Sequence, residues 1–107
     1  MSVKKSELYR FTPMQIEDLD EIYKLEVKSY QFPWTKEILR DCIIYNYDSY
    51  SVFFGTKLVG YIISKILQPE THILNITVDS DFRNNGIGSS LVKLIIDNAR
   101  IRNSRDI

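Results

Sequence analysis

The residues best suited to chemistry lie in one segment, Val78-Asp79-Ser80-Asp81-Phe82-Arg83-Asn84-Asn85-Gly86-Ile87-Gly88-Ser89-Ser90. A β-branched, apolar run leads into it (Ile73, Leu74, Ile76, Thr77, Val78), and an amphipathic helical pattern leads out, from about Ile87 to about Ile101. Strand, polar turn, glycines, helix: that order aims a helix N-terminus at whatever sits over the end of the strand. First-turn N–H groups have no intrahelical partner, and the helix dipole adds partial positive charge. Gly86 and Gly88 remove the Cβ atoms that would keep an anion off that backbone. The chemistry is phosphate or pyrophosphate binding; the structural alternative is a tight turn with glycines for steric reasons. Two known cradles do not apply. A P-loop ends in Gly-Lys-Ser/Thr, and here Gly88 is followed by Ser89-Ser90. A dinucleotide fingerprint needs a third glycine or alanine where this chain has Leu91.

The elements that must position this segment follow from periodicity. Leu8-Tyr9-Arg10-Phe11-Thr12 alternates like a short strand, ended by Pro13. Glu17 to about Ser29 has helical spacing, with Leu19, Ile22, Tyr23 and Leu25 or Glu26 on one face and acids in its first turns. Pro33 breaks it within the apolar loop Tyr30-Gln31-Phe32-Pro33-Trp34-Thr35. Thr35 can cap a second helix, Lys36 to about Tyr45, with Ile38, Leu39, Cys42 and Ile43 inward. Ser49–Phe54 and Leu58–Ile66 form an antiparallel hairpin about Gly55-Thr56-Lys57, and Thr71–Asp79 is the third consecutive strand. The last helix puts Ile87, Leu91, Leu94, Ile95 and Ala99 on one face. Arg100, Arg102 and Arg105 gather near its end, either complementing the helix dipole or meeting a distal phosphate. Residues Met1 to Glu7 are polar and expected to be loose.

Length and composition narrow the classes. A chain of 107 residues is one domain. Formal net charge is zero, against a general nucleic-acid binder. One cysteine, Cys42, allows neither a disulfide framework nor a cysteine metal cluster, and it reads as a small core residue. No apolar run approaches membrane-spanning length and no signal-peptide core is seen, so no membrane partner is expected and the cytoplasm is the expected compartment.

Arg83-x-x-Gly86-x-Gly88 resembles the acetyl-CoA-binding motif of the GNAT superfamily of N-acetyltransferases, and Asn75-Ile76-Thr77-Val78-Asp79 resembles that family's fourth strand. Phe32-Pro33-Trp34-Thr35 is similar to the Pro-Trp-Ser/Thr loop of the bacterial ribosomal-protein-alanine N-acetyltransferases, and Val59-Gly60-Tyr61 to their third strand. The resemblance implies an α/β (α+β) GNAT fold in the order strand, helix, helix, three strands, helix, around a mixed, mostly antiparallel sheet. It implies acetyl transfer from acetyl-CoA, the cosubstrate, to a protein N-terminus. The diphosphate would rest on Arg83, Asn84, Asn85, Gly86, Ile87, Gly88 and Ser89. The pantetheine arm would pair with Ile76, Thr77 and Val78 like an added strand, placing the thioester near an oxyanion-stabilising N–H. Phe32, Pro33 and Trp34 would wall the acceptor groove, or else staple the helices onto the sheet. Asn84 and Asn85 stand where the family often carries basic residues, which softens the attraction for diphosphate but leaves the backbone donors.

The family's base and acid, a glutamate on a fifth strand and a tyrosine on the next helix, would fall after Ile107. So would a fourth helix and two further strands. The expectations are a fragment or truncated product, an acyl-CoA-binding remnant without turnover, or a sheet completed by pairing with another copy, with marginal stability or self-association through the exposed edge. His72, the sole histidine, is the substitute base, relaying a proton through water; the alternative is a surface histidine. Glu26, Tyr30 and Tyr61 are further polar candidates near the groove. A small amine is the other acceptor class.

Overall fold

A computed structural model of the protein describes residues 8–45 and 47–105. Residues 1–7, expected to be loose, and residues 46, 106 and 107 lie outside the described residues, as do the side chains of Ser104 and Arg105.

The elements are β1 (Tyr9–Pro13), a 3-10 turn (Ile16–Asp18), α1 (Leu19–Ser29), α2 (Lys36–Ile44), β2 (Asp48–Phe54), β3 (Lys57–Leu67), β4 (Glu70–Val78), a second 3-10 turn (Ser80–Phe82) and α3 (Ile87–Arg105). The strands form one sheet in the order β1-β2-β3-β4, every neighbouring pair antiparallel. The described strands supply the antiparallel part of the mostly antiparallel sheet expected above, as hairpin connections between β2, β3 and β4 require. β4 is an edge strand among the described residues.

The sheet separates two cores. Leu19, Ile22 and Leu25 of α1 and Leu39 and Cys42 of α2 pack with Tyr61 and Ile63 of β3. On the opposite face, Ile87, Leu91 and Ile95 of α3 pack with Val52, Val59 and Ile62. Each large side chain taken from water here stabilises by about 1.5–3 kcal/mol. The Thr35 hydroxyl accepts from the Ile38 N–H and caps α2, worth about 1 kcal/mol. Ile38, expected inward, is 47% exposed. Leu39 and Cys42 fill the one stripe that α1 and the sheet cover, and Ile38 falls beside it.

Two register steps shape the end of the sheet near the chemistry. One falls between Val52 and Phe53 and leaves Val59 without a partner opposite; the other falls between Ile63 and Ser64 and leaves Leu74 unpaired on β4. Such a bulge turns the following side chains to the other face. Thr71 therefore meets Arg102 of α3, whereas Asn75 and Thr77 meet residues of α1 and its following loop.

Candidate functional site

β4 ends at Val78, and a set of local bonds holds the turn that follows. The Asp79 N–H donates to the Val59 carbonyl at 2.8 Å, and the Asp79 side chain accepts from the Asp81 N–H at 2.9 Å. Lys28 of α1 reaches the same carboxylate at 3.2 Å, with Lys57 at 3.9 Å. Burial alone would raise the Asp79 carboxyl; the Asp81 amide and the two lysines outweigh it and hold it below the usual carboxylate range. Phe82 packs on Phe54 with ring centroids 5.5 Å apart, and Phe54 on Tyr9 at 5.4 Å, so the turn is bolted to the sheet.

Beyond this anchor the chain reverses through left-handed residues, Asn84 (φ 66°) and Gly86 (φ 78°). Asparagine and glycine are the residues that adopt this conformation readily. The Gly86 carbonyl accepts from the Ser90 N–H at 3.0 Å, which closes the first turn of α3. The amides of Ile87, Gly88 and Ser89 meet no acceptor among the described residues. They are the orphan donors expected of a helix start, at the positive end of the dipole.

These donors border a cavity of about 460 Å³ lined by Tyr30, Ile76, Thr77, Val78, Phe82, Arg83, Asn84, Gly86, Ile87, Gly88 and Ser89. Nine of the ten residues expected to hold a cofactor thus line one space. The tenth, Asn85, does not: its Nδ2 donates to the carbonyls of Phe82 and Arg83 at 3.0 and 3.2 Å and tightens the turn. A Cβ on Gly88 would come no nearer than 3.9 Å to the protein, to a Val78 methyl. The protein's own packing thus leaves room for a side chain at Gly88. An open cradle with free amides fits a diphosphate. Gly60 differs: a Cβ there would lie 2.9 Å from the Thr77 carbonyl and 3.0 Å from Val52, so only glycine lets β3 and β4 pair at this point.

A second cavity of about 320 Å³ adjoins the first and shares Tyr30 and Ile76 with it; its other walls are Glu26, Phe32, Trp34, Ile73, Leu74 and Asn75. The loop after α1 divides its work. Trp34 packs against the α1–α2 core, whereas Phe32 is 85% exposed and staples nothing. Pro33 does not line the space. Beneath it lies Glu26, 1% exposed. Its carboxyl group accepts from the Trp34 N–H at 2.8 Å, from Asn75 Nδ2 at 2.9 Å and from the Tyr61 hydroxyl. Burial first, and the bond to Glu26 second, push the Tyr61 phenol far above its ordinary pKa, so it remains a donor. One side chain thereby ties α1, the Phe-Pro-Trp loop, β3 and β4 together.

His72 stands elsewhere. It is exposed, its Nε2 lies 3.0 Å from the Glu70 carboxylate, and it lines neither cavity. Arg102 is taken up by Thr71 at 2.7 Å and Asp48 at 3.6 Å, while Arg100 borders an open shelf along α3 beside Ser89 and Lys93. Among the described residues no cluster of three or more His, Cys, Asp or Glu is placed to hold a metal, and no helix is long and apolar enough to cross a membrane. What the sequence did not announce was the Glu26 cluster, whose members are spread from residue 26 to residue 75.

The domain is thus a hairpin-built sheet with two helices on one face, and on the other a third helix whose bare N-terminus opens beside the end of β4 at a glycine turn suited to an anion. Residues 19–106 match the acetyltransferase (GNAT) family, and the chain belongs to that family. Among curated relatives, it is 25% identical over 84 residues to the [ribosomal protein bS18]-alanine N-acetyltransferase of Escherichia coli K12, covering 78% of this chain and 57% of that protein. It is 28% identical over 94 residues to a putative enzyme of the same name from Bacillus subtilis, covering 86% and 62%. The chain thus spans about three fifths of the length of these relatives. The fold is shared with the crystal structure of the Escherichia coli ribosomal-protein-S18-alanine N-acetyltransferase (TM-score 0.81, 23% identity, 88% of this chain and 61% of that one). It is shared equally with the PaiA N-acetyltransferase of Thermoplasma acidophilum in complex with coenzyme A (TM-score 0.81, 16% identity, 89% and 74%).

Proposed function

We propose that this domain binds acetyl-CoA and serves acetylation of a protein N-terminal amine, the N-terminal alanine of a ribosomal protein being the acceptor, in the cytoplasm. The observation that carries the reading is the set of unpaired amides at Ile87, Gly88 and Ser89 above a cavity that runs along the free edge of β4. Those amides, with Arg83 and Asn84 beside them, would hold the diphosphate. The backbone of β4 from Ile76 to Val78 would receive the arm. Bound there, acetyl-CoA supplies an activated acetyl group. The adjoining cavity, with Trp34 and Phe32 on its wall, would take the acceptor's first residues. The names and folds of the relatives support this choice of acceptor.

One observation favours a second reading, an acyl-CoA-binding domain without turnover. The carboxyl group in the acceptor cavity is buried and already holds three donors, and the histidine points elsewhere. Calorimetry with CoA, together with incubation of labelled acetyl-CoA and an Ala-initiated peptide, separates the two. Heat with label on the peptide supports transfer, heat without label supports the binding reading, and no heat removes both.

A further inference from the structure

Tyr30 stands where the two cavities meet and lines both. Its hydroxyl donates to the Ile76 carbonyl at 2.9 Å and lies 2.8 Å from Thr77 Oγ1. Thr77 Oγ1 lies 2.9 Å from Asn75 Oδ1. These three contacts share only two protons, because each hydroxyl carries one and the Ile76 carbonyl and Asn75 Oδ1 can only accept. One contact is always without a proton. If the phenol turns to Thr77, the protons run in line from Tyr30 to Thr77 to Asn75, and Asn75 Nδ2 continues to Glu26 at 2.9 Å. Only the Ile76 carbonyl is then released.

That carbonyl is the one an added strand needs. The Thr77 carbonyl points across the sheet to β3, where it would lie 2.9 Å from a Cβ on Gly60. Carbonyls alternate in direction along a strand, so the Ile76 carbonyl points off the free edge of β4.

We propose that the Tyr30 hydroxyl is a two-position donor that occupies the Ile76 carbonyl while the edge is bare and turns onto Thr77 when an amide of the acyl-CoA arm takes it. Tyr30 is in this sense a positioning residue for the arm; the inference rests on the acyl-CoA reading above. The change is a rotation of one O–H, with no covalent bond formed or broken and the ring left in place.

The test is calorimetry on the whole chain with two ligands, CoA and ADP, the second of which has a diphosphate but no arm. Thr77→Val removes the second position, so Tyr30 must compete with the arm, and CoA affinity should fall roughly five-fold, as for a single lost hydrogen bond, with ADP unchanged. Tyr30→Phe removes the competitor, so the double variant Tyr30→Phe/Thr77→Val should bind CoA within about two-fold of the parent, a coupling that independent sites do not show. Thr77→Ser keeps the hydroxyl and should bind CoA as the parent does. The proposal is overturned if Thr77→Val leaves CoA affinity unchanged, if its loss persists in the double variant, or if ADP weakens in step with CoA. If the parent binds neither ligand, the acyl-CoA reading fails and takes this inference with it.

Discussion

Two neighbouring stretches of β4, the edge strand among the described residues, treat polar groups in opposite ways. At the Val78 end, three backbone donors of α3 are left without partners beside open space. Around Asn75, the buried Glu26 carboxyl group has three donors bonded to it, one each from the Phe-Pro-Trp loop, β3 and β4. An unpaired buried polar group costs about 1–3 kcal/mol, so a fold closes such groups wherever it can. Donors left open on a bolted turn are available to an anion, as the proposed function requires, whereas the closed cluster is a structural tie. Gly88 and the amides around it remain free for the proposed diphosphate, while Glu26 and Tyr61, polar candidates near the groove in the sequence, hold the Phe-Pro-Trp loop in place.

The largest expected effect is at the open end. Gly88→Glu puts a carboxylate into space that no protein atom fills within contact distance of Cβ, except a Val78 methyl at 3.9 Å. CoA binding should drop below calorimetric detection while the thermal midpoint changes little; retained affinity would break the comparison there. At the closed end, Glu26→Ala should leave CoA binding at the cradle in place but cost roughly 3 kcal/mol or more of stability in urea unfolding, because several donors lose their acceptor together. Trp34 emission should shift to the red as the loop loosens. A variant as stable as the parent would mean that Glu26 ties nothing.

Asp79 lies between the two regimes, and its effect should be smaller, about 1 kcal/mol for Asp79→Asn at neutral pH. Its folded pKa is depressed, so its contribution is fully present above the unfolded value of about 3.9 and is lost as pH falls through the lower folded value. The gap between parent and Asp79→Asn should hold near neutrality and close below about pH 4. A gap that widens in acid would contradict the assignment. The smallest effect is at His72. It is exposed and, among the described residues, paired with Glu70 alone, so His72→Ala should change stability by less than about 0.5 kcal/mol and leave CoA affinity unaltered.

The fold was legible because its elements are local. Alternation in β1 and β2, the apolar β-branched runs of β3 and β4, and the spacing of Leu19, Ile22 and Leu25 announce strand and helix without help from distant residues. The cradle was legible for the same reason, since Arg83, Gly86 and Gly88 lie within one turn of chain. Three kinds of feature were not. The Glu26 cluster needs residues brought together from α1, β3 and β4, and no spacing rule links them. The unpaired Leu74 sits in an apolar run whose alternation does not show which residue is extra, yet it sets the faces of Asn75 and Thr77. The directions of the Phe32 and Asn85 side chains could not be read from their neighbours. Phe32 shares a loop with Trp34 but points outward, and Asn85 sits among cradle residues but turns its side chain back onto the carbonyls of Phe82 and Arg83.

Amide spectra of the uniformly 15N-labelled chain, titrated with CoA, read the N–H groups of the α3 start one by one. The account predicts that the largest shift changes fall on Ile87, Gly88 and Ser89, with smaller ones along Ile76 to Val78. Shift changes confined to other parts of the chain, or none at saturating CoA, would contradict it.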